Sequence, residues 1–318
     1  MTEYSPVRAV TVVTNPRSGH GKGGDAANAA IARFRAGGVE VTEVCGGSAA
    51  ESVRQVRDSI GGGSDAKPDA VVCIGGDGLI NVTLAAVAET GVALGMIPAG
   101  TGNDLARELG VPTDDPIAAA DVVLRGRTRT IDLGRIESTG SGAPMWFATV
   151  TGTGFDARVT LRANDMRWPK GRLRYTVAAL AEISGRFTVP YRVELTGAVT
   201  EGLTNPGVGA RLATEAVMVA VGNTRTYGGG MLICPDALMD DGLLDLTVVG
   251  ALSRREMLRL LPALSAGKRQ NHPEVKQYRA AAVTLSAPGA PATADGEPAG
   301  TLPITIRAVP AALTVLVP

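Results

Sequence analysis

Residues 70–81 read Ala-Val-Val-Cys-Ile-Gly-Gly-Asp-Gly-Leu-Ile-Asn, an apolar run that ends in a glycine-rich turn. A continuous apolar run of this length is typical of a parallel strand that is buried on both faces. After the turn, apolar residues recur with helical spacing from about Leu79 to Thr90. This part of the chain therefore predicts a strand, a turn and a helix in succession.

The same succession recurs on both sides of this stretch. Short strands are predicted at Val10–Thr14, Val39–Val44 and Val92–Ile97, and glycine-rich segments follow the first and the last of them, at 15–24 and 98–104. Alternating strands and helices indicate a parallel sheet with helices on its faces. Such sheets bind ligands at the carboxyl ends of their strands, which is where these glycine-rich segments lie.

The pattern changes near Arg129. Downstream, short β patterns predominate, with helical stretches and Pro-, Gly- and Ser-rich connectors between them. Many short strands with turn signals are typical of an antiparallel sandwich or barrel. We therefore predict two domains, an α/β domain over residues 1–130 and an antiparallel β domain over residues 131–318.

The composition excludes several classes of protein. Of the 318 residues, 45% are hydrophobic and 19% are charged, which excludes an intrinsically disordered chain. Lys and Arg number 31, as do Asp and Glu, so the chain lacks the basic surplus of a general nucleic-acid binder. Three scattered cysteines and two histidines argue against a disulfide framework or a zinc site. Because we see neither an apolar leader nor a membrane-spanning stretch, we expect a cytoplasmic protein.

Glycine-rich turns at strand ends can bind phosphate groups. Glycine lets backbone N–H groups turn toward an anion, and the following helix adds the positive end of its dipole. Three such turns along one sheet edge predict a site for a polyphosphate. A second hypothesis stays open, because Gly19-His-Gly-Lys-Gly-Gly24 matches G-x-G-x-x-G and Glu43 follows where a ribose-binding acid would lie. That hypothesis predicts an NAD(P)-binding oxidoreductase.

Three segments resemble the nucleotide-binding segments of the diacylglycerol kinase catalytic-domain family: Asn15-Pro-Arg-Ser-Gly-His-Gly-Lys22, Gly75-Gly-Asp-Gly-Leu-Ile-Asn81 and Pro98-Ala-Gly-Thr-Gly-Asn-Asp-Leu-Ala-Arg107. Further segments follow in the family's order: Gly154-Phe-Asp156, Gly222-Asn223, Gly228-Gly-Gly230, Pro235 to Asp245, and Asp295-Gly-Glu297. The family includes bacterial lipid kinases and sphingosine kinases. The resemblance implies an N-terminal α/β nucleotide-binding domain, with a parallel sheet and flanking helices, and a C-terminal antiparallel β-sandwich.

The resemblance also implies roles for single residues. Glu297 corresponds to a general base that takes the proton of an attacking hydroxyl group, and Asp77 corresponds to a residue that contributes to catalysis. Asp241, with the main-chain carbonyls of Leu238 and Leu243, resembles a magnesium site, and oxygen ligands suit Mg²⁺. The positions that resemble ATP contacts are Asn15, Pro16, Arg17, Ser18, Gly19, Thr42, Gly75, Gly76, Asp77, Gly78, Asn81, Gly100, Thr101, Gly102, Asn103 and Asp104.

Several of these residues also fit structural roles. Asp77 begins a predicted helix, where an acidic N-cap is common. The Asp-Gly pairs at 241–242 and 295–296 are hairpin-turn signals. Leu79 and Val82 depart from the family's pattern, because many bacterial members have Thr and Glu at these positions. This departure bears on substrate and rate more than on nucleotide binding.

Together these features predict an ATP-dependent lipid kinase that uses ATP and Mg²⁺. It would transfer the γ-phosphate of ATP to a lipid hydroxyl group, with diacylglycerol giving phosphatidic acid as the first case. The alternatives are a kinase for a sphingoid base or another alcohol, an NAD kinase-like enzyme, the oxidoreductase, and a non-catalytic lipid or nucleotide sensor. A basic stretch from Arg158 to Arg174 around Trp168 predicts contact with a peripheral membrane surface. The sequence leaves homo-oligomerisation open.

Overall fold

The computed structural model describes residues 2–4, 6–15, 22–61, 67–137, 144–169, 171, 173–185, 188–199, 210–269 and 271–318. The chain forms two compact units. Residues Met1–Asp132 and Ala311–Pro318 form the first unit, and Leu133–Pro310 form the second. The sequence pattern predicts residues 311–318 as part of the second domain. The structure groups them with the first unit because the end of the last strand, at Val315, pairs with a strand of the parallel sheet.

The first unit contains, in chain order, β1 (Thr2–Tyr4), β2 (Ala9–Thr14), α1 (Lys22–Ala36), β3 (Glu40–Val44), α2 (Ala49–Gly61), β4 (Ala70–Gly75), α3 (Asp77–Val87), β5 (Ala93–Pro98), α4 (Asp104–Glu108) and α5 (Pro116–Arg125). Strands β3, β2, β4 and β5 lie side by side in this order and are parallel. Every residue of β4 and β5 is buried, which explains their uninterrupted apolar runs. The predicted parallel α/β sheet is confirmed.

Helix α5 shows how local sequence sets the ends of an element. The side chain of Asp115 accepts hydrogen bonds from the backbone N–H groups of Ile117 and Ala118, and Pro116 lies in the first turn. The helix ends at Gly126, which adopts the left-handed conformation with a φ of 66°. Between these ends, the buried face of α5 contacts α1 and β5.

The second unit begins within β6 (Arg127–Glu137) and continues with β7 (Met145–Phe147), β8 (Val150–Gly154), α6 (Phe155–Asp165), α7 (Leu173–Ser184), β9 (Val189–Ala198), β10 (Ala210–Gly222), β11 (Thr226–Tyr227), β12 (Met231–Leu232), β13 (Leu244–Gly250), α8 (Arg254–Ser265), β14 (Val275–Ser286), β15 (Pro291–Ala294), β16 (Glu297–Thr301) and β17 (Ile304–Leu316). Strand β17 leaves the second unit after Pro310.

Antiparallel pairing organises the second unit. Strand β10 pairs with β8 and β13, β13 pairs with β14, and β9 pairs with both β10 and β14. Strands β9, β10, β13 and β14 therefore form a closed series of pairings around an apolar core that includes Phe147, Tyr191 and Leu195. Helices α6, α7 and α8 contribute to a second apolar cluster with β10, in which Phe155 and Met218 are buried. The predicted C-terminal antiparallel β-sandwich is confirmed.

Candidate active site

The three glycine-rich turns begin at the ends of neighbouring strands. Thr14 at the end of β2 lies opposite Ile74 in β4, and Gly75 at the end of β4 lies opposite Pro98 in β5. The first turn therefore starts, at Asn15, at the same edge of the sheet as the second and third turns. Four predicted ATP contacts lie outside the described residues, namely Pro16, Arg17, Ser18 and Gly19.

The second and third turns touch backbone to backbone. A Cβ atom on Gly100 would lie 2.5 Å from the Cα atom of Gly76, and one on Gly76 would lie 3.1 Å from the Cα atom of Gly100. The N–H of Ala99 also donates to the carbonyl oxygen of Gly75 at 2.9 Å. A side chain at Gly100 would collide with the backbone of the second turn. The need for glycine at this position is therefore explained by packing alone, without phosphate binding.

Asp77 joins these two turns. Its Oδ2 accepts a hydrogen bond from the backbone N–H of Asn103, and its Oδ1 accepts one from the backbone N–H of Asp104, both at 2.8 Å. The expected N-cap role in its own helix is not observed, because Gly76 is the N-cap of α3 and makes no side-chain cap. Asp77 instead binds the start of α4, so both of its carboxylate oxygens hold the third turn.

Asn103 shapes the third turn from within. It is buried and has a φ of 54°. Its Oδ1 accepts a hydrogen bond from the N–H of Gly100 at 3.1 Å, and its Nδ2 donates to the carbonyl oxygen of Gly100 at 3.0 Å. Thr101 at the tip is exposed, Gly102 is half-buried, and Asp104 is buried. The predicted ATP contacts of this turn thus divide into buried residues that shape it and a tip that a ligand can reach.

The other predicted ATP contacts of the first unit lie in β3 and α3. Thr42 lies in the middle of β3 and is exposed. Gly78 and Asn81 lie near the start of α3 and are half-buried. Glu43, the acid that the dinucleotide hypothesis requires, forms an exposed ion pair with Arg35 at 2.9 Å. A structural contact therefore accounts for Glu43 without a ribose.

In the second unit, Glu297 follows the turn of the β15–β16 hairpin. Asp295 and Gly296 form this two-residue turn with φ angles of 49° and 83°, the left-handed pair of a type I′ turn. The expected hairpin is thus present. Glu297 itself is exposed, and its carboxylate has no hydrogen-bond or ion-pair partner within the part of the chain that the structure describes. The carboxylate is therefore accessible to solvent.

The Asp295 carboxylate fixes this hairpin to the segment before β8. It accepts hydrogen bonds from the N–H of Ala148 at 2.9 Å, the N–H of Thr149 at 2.8 Å and the hydroxyl of Thr149 at 2.5 Å. On the same segment, the N–H of Asn223 donates to the carbonyl of Thr149 at 2.8 Å, and Nδ2 of Asn223 donates to the carbonyl of Ala148 at 3.1 Å. Asn223 of one motif and Asp295 of the Asp-Gly-Glu motif therefore bind the same two residues, Ala148 and Thr149.

A further contact on the hairpin comes from helix α6. Nδ2 of Asn164 donates a hydrogen bond to the carbonyl oxygen of Gly296 at 3.0 Å, one residue before Glu297. Asn164 and Thr149 are not among the predicted site residues. No local signal marks either residue, because each acts through a partner that is distant in the sequence.

Asp241, the predicted magnesium ligand, lies in the loop before β13. Its Oδ1 accepts a hydrogen bond from the N–H of Leu243 at 3.0 Å, and its Oδ2 forms an ion pair with Arg279. The predicted ligands are all oxygen atoms, which fits Mg²⁺. Within the described ranges, no three His, Cys, Asp or Glu side chains are grouped to hold a metal. An ion at Asp241 would therefore depend on the carbonyl oxygens of Leu238 and Leu243.

Asp156 is a buried acid at the start of α6. Its Oδ1 accepts a hydrogen bond from the hydroxyl of Tyr227 at 2.5 Å, whereas its Oδ2 has no hydrogen-bond partner among the described residues. Burial raises the pKa of Asp156 to about 6, and the bond from Tyr227 opposes this rise. A Cβ atom on Gly152 would lie 1.9 Å from Oδ2, so the glycine of β8 makes room for this carboxyl group.

Comparison with known proteins agrees with this architecture. The family model described as diacylglycerol kinase catalytic domain matches residues 9–136, and the one described as YegS C-terminal NAD kinase beta sandwich-like domain matches residues 149–317. A protein of Mycobacterium tuberculosis named "Diacylglycerol kinase" is 47% identical over 309 residues, which cover 97% of this chain and 95% of that protein. A protein of Stenotrophomonas maltophilia named "Probable lipid kinase YegS-like" is 31% identical over 273 residues, 80% of each chain.

Solved structures show the same fold. A crystal structure of a diacylglycerol kinase from Bacillus anthracis superposes with a TM-score of 0.74 over 99% of each chain, at 20% sequence identity. Fold, turns and sequence matches together define a two-domain kinase. The chain belongs to the diacylglycerol kinase catalytic-domain family. A YegS-like lipid kinase is also similar to this chain in sequence. The predicted family resemblance and the predicted kinase class are confirmed, whereas the oxidoreductase hypothesis finds no support.

Proposed function

We propose that the chain transfers the γ-phosphate of ATP to a lipid hydroxyl group, with diacylglycerol as the first candidate acceptor. The observation that carries this proposal is that the turns after β2, β4 and β5 all begin at one edge of the parallel sheet, where such sheets bind ligands. The name of the 47% identical relative supports diacylglycerol as the acceptor.

The turns of the first unit would hold the triphosphate. In phosphoryl transfer, the protein contributes positioning and charge stabilisation more than covalent chemistry. Backbone N–H groups of the turn after β4 would contact phosphate oxygens, together with Asn15, residues 16–19 and the exposed Thr101. Asp77 stays a predicted catalytic residue. Its two hydrogen bonds to the third turn support a positioning role.

Glu297 would act as the general base. The lipid hydroxyl oxygen forms a bond to the γ-phosphorus, the bond from that phosphorus to the bridging oxygen of ADP breaks, and Glu297 takes the hydroxyl proton. The exposed carboxylate at the start of β16 supports this role. Asp295 and Asn164 would be positioning residues. The Asp295 carboxylate fixes the turn before Glu297 to the segment before β8, and Asn164 binds the carbonyl oxygen of Gly296.

Magnesium is the cation that we propose for Asp241 and the carbonyl oxygens of Leu238 and Leu243. Bound magnesium offsets the negative charge that accompanies phosphoryl transfer. In this chain Asp241 shares its carboxylate between the N–H of Leu243 and the guanidinium of Arg279.

We propose further that the exposed side of α7 and the segment before it contact an anionic membrane surface. Trp168 is 81% exposed, and Leu173, Val177 and Leu180 are 65%, 44% and 55% exposed. The exposed Arg167 precedes Trp168 and supplies positive charge beside these apolar groups. Trp and cationic side chains favour the headgroup region of anionic bilayers. In the described ranges, no helix has both the length and the apolar character that spanning a bilayer requires.

The direct test is transfer of labelled γ-phosphate from ATP to lipids presented in mixed vesicles. The panel contains diacylglycerol, a sphingoid base and ceramide, and the product is identified by its mass. We expect labelled phosphatidic acid from diacylglycerol in the presence of magnesium. A product from the sphingoid base alone would change the acceptor, and ATP binding without any labelled lipid would contradict the proposed reaction.

A further inference from the structure

Asp241, Asp245 and Arg279 form a charged cluster in the second unit. Asp245 is the second residue of β13, and Arg279 in β14 lies directly opposite it in the strand register. Opposed residues of antiparallel strands place their side chains side by side. From this position the guanidinium of Arg279 also reaches Asp241 in the loop before β13. One cation therefore lies between two carboxylates.

The guanidinium of Arg279 contacts Asp241 more closely than Asp245. Nη2 of Arg279 contacts Oδ2 of Asp241, whereas Nε of Arg279 is 3.4 Å from Oδ2 of Asp245. The Asp245 side chain is only 10% exposed, and neither its Oδ2 nor Nε of Arg279 makes a hydrogen bond among the described residues. A buried carboxylate oxygen and a buried N–H donor thus face each other without a formed bond. Leaving such groups unsatisfied is costly.

We propose that Arg279 competes with magnesium for Asp241, and that Asp245 receives the guanidinium when the ion binds. This inference rests on the magnesium site proposed above. A guanidinium and a divalent cation would both take Oδ2 of Asp241, because its Oδ1 accepts the N–H of Leu243, and their like charges repel at close range. Release from Asp241 leaves Arg279 beside a nine-tenths buried carboxylate, where its Nε–H can complete a charge-assisted hydrogen bond. Arg279 therefore sets the affinity for magnesium without being a ligand.

The test is calorimetric titration of the full chain with magnesium chloride, without ATP or lipid. Substitution Arg279→Met removes the competitor and keeps the side chain's length and apolar stem. We expect the dissociation constant for Mg²⁺ to fall at least about tenfold, which corresponds to about 1.4 kcal/mol. Arg269→Met is the matched control, because Arg269 pairs with Asp236 at 2.9 and 2.6 Å and does not contact Asp241. The control should bind Mg²⁺ as the unaltered chain does.

A second variant separates competition for Asp241 from an effect of net charge, because it leaves the net charge of the chain unchanged. The double substitution Arg279→Met with Asp245→Asn removes one positive and one negative charge. Competition predicts that it still binds Mg²⁺ more tightly than the unaltered chain, whereas a pure charge effect predicts no change and would overturn the proposal. Adding Asp241→Asn to Arg279→Met should abolish the binding.

The outcomes also separate this inference from the lipid kinase function. Equal Mg²⁺ affinities in the unaltered chain and both Arg279 variants would overturn competition while leaving the metal site in place. Absence of Mg²⁺ binding in all variants would overturn the metal site and the inference together. Neither result depends on lipid phosphorylation, whose failure would appear only in the transfer assay.

Discussion

The Oδ2 atom of Asp77 lies 2.8 Å from the backbone nitrogen of Asn103, 26 positions further along the chain. Together with the bond from Asp104, this contact ties the turn after β4 to the turn after β5. The first N–H groups of a helix have no partner within the helix, and here a carboxylate from another turn supplies one. The sequence motif Gly-Gly-Asp-Gly therefore carries an acid whose contacts hold the neighbouring glycine turn in place.

Substitution Asp77→Asn should weaken both the fold of this edge and the binding of ATP. The amide keeps one acceptor oxygen and places an NH₂ group against the second N–H. Hydrogen bonds to charged groups contribute about 1.5–3 kcal/mol each, so we expect a loss of that order in the free energy of unfolding. Denaturant titration measures this loss, and the exposed Asp114→Asn is the control. An unchanged unfolding midpoint would contradict the role of these bonds.

The contact between Gly76 and Gly100 yields a second prediction. Gly100→Ala would place a methyl group 2.5 Å from the Cα atom of Gly76, so the two turns must separate. We expect at least a tenfold weaker affinity for ATP, about 1.4 kcal/mol, measured by calorimetric titration. Gly61→Ala at the end of α2 is the matched control, because among the described residues no atom outside its own helix backbone and chain neighbours lies within 4 Å of its added Cβ. An ATP affinity of Gly100→Ala equal to that of this control would show that the turns do not hold the nucleotide together.

Glu297→Gln should lower kcat by about 10²- to 10⁴-fold, the usual contribution of a general base. The affinity for ATP should stay near that of the unaltered chain, because the amide preserves the shape of the side chain. Steady-state kinetics with saturating lipid measure the first quantity, and nucleotide titration measures the second. A fall in kcat of less than about tenfold would exclude Glu297 as the base. Glu194→Gln, on an exposed position of β9, is the control.

The sequence predicted the parts of the fold that are written in local patterns. The apolar runs of β4 and β5 are continuous because both strands are buried along their whole length, so a short window of sequence contains the information. The Asp295-Gly296 turn is equally local, since an Asp-Gly pair favours the positive φ angles that these two residues adopt.

Partners that are distant in the sequence could not be predicted in this way. The end of β17 pairs with β5 at Val315 and Leu94, and nothing near Val315 specifies that neighbour. The ion pair of Arg279 with Asp241 and the bond from Asn164 to Gly296 likewise depend on tertiary packing. The candidate site was therefore predictable in its motifs, whereas the side chains that position those motifs became visible only in the structure.

The exposed apolar groups around α7 predict how the protein meets lipid. Replacing Trp168 with Ala and Leu173 with Ser removes two side chains that are 81% and 65% exposed, so folding stability should change little. Binding to anionic vesicles in a sedimentation assay should fall by about tenfold or more, because apolar insertion contributes about 25 cal/mol for each Å² buried. Ile117→Ser, at a 50% exposed position of α5, is the control. Equal vesicle binding by the double variant and the control would contradict the proposed membrane surface.

Asp156 yields a prediction about the pH dependence of stability. Burial raises its pKa from 3.8 in the unfolded chain to about 6 in the folded protein. Between these two values the folded state binds more protons than the unfolded state, so the free energy of unfolding falls as the pH rises from 3.8 to about 6. Asp156→Asn cannot ionise, and it should remove this part of the fall. Tyr191 does not contribute in the same window, because burial raises its pKa to about 12.

Denaturant titrations at several pH values between pH 3.8 and about 6 distinguish Asp156 from the other acids of the chain. Asp165→Asn, at the exposed end of the same helix, should retain the pH dependence of the unaltered protein. Tyr227→Phe removes the hydrogen bond that lowers the pKa of Asp156, so the pH range over which stability falls should extend to higher pH. If Asp156→Asn and Asp165→Asn show the same pH dependence, the buried carboxyl group is not its source. Tyr227→Phe should then leave the pH dependence of stability unchanged, because the hydroxyl of Tyr227 would act on a group that does not titrate in this range.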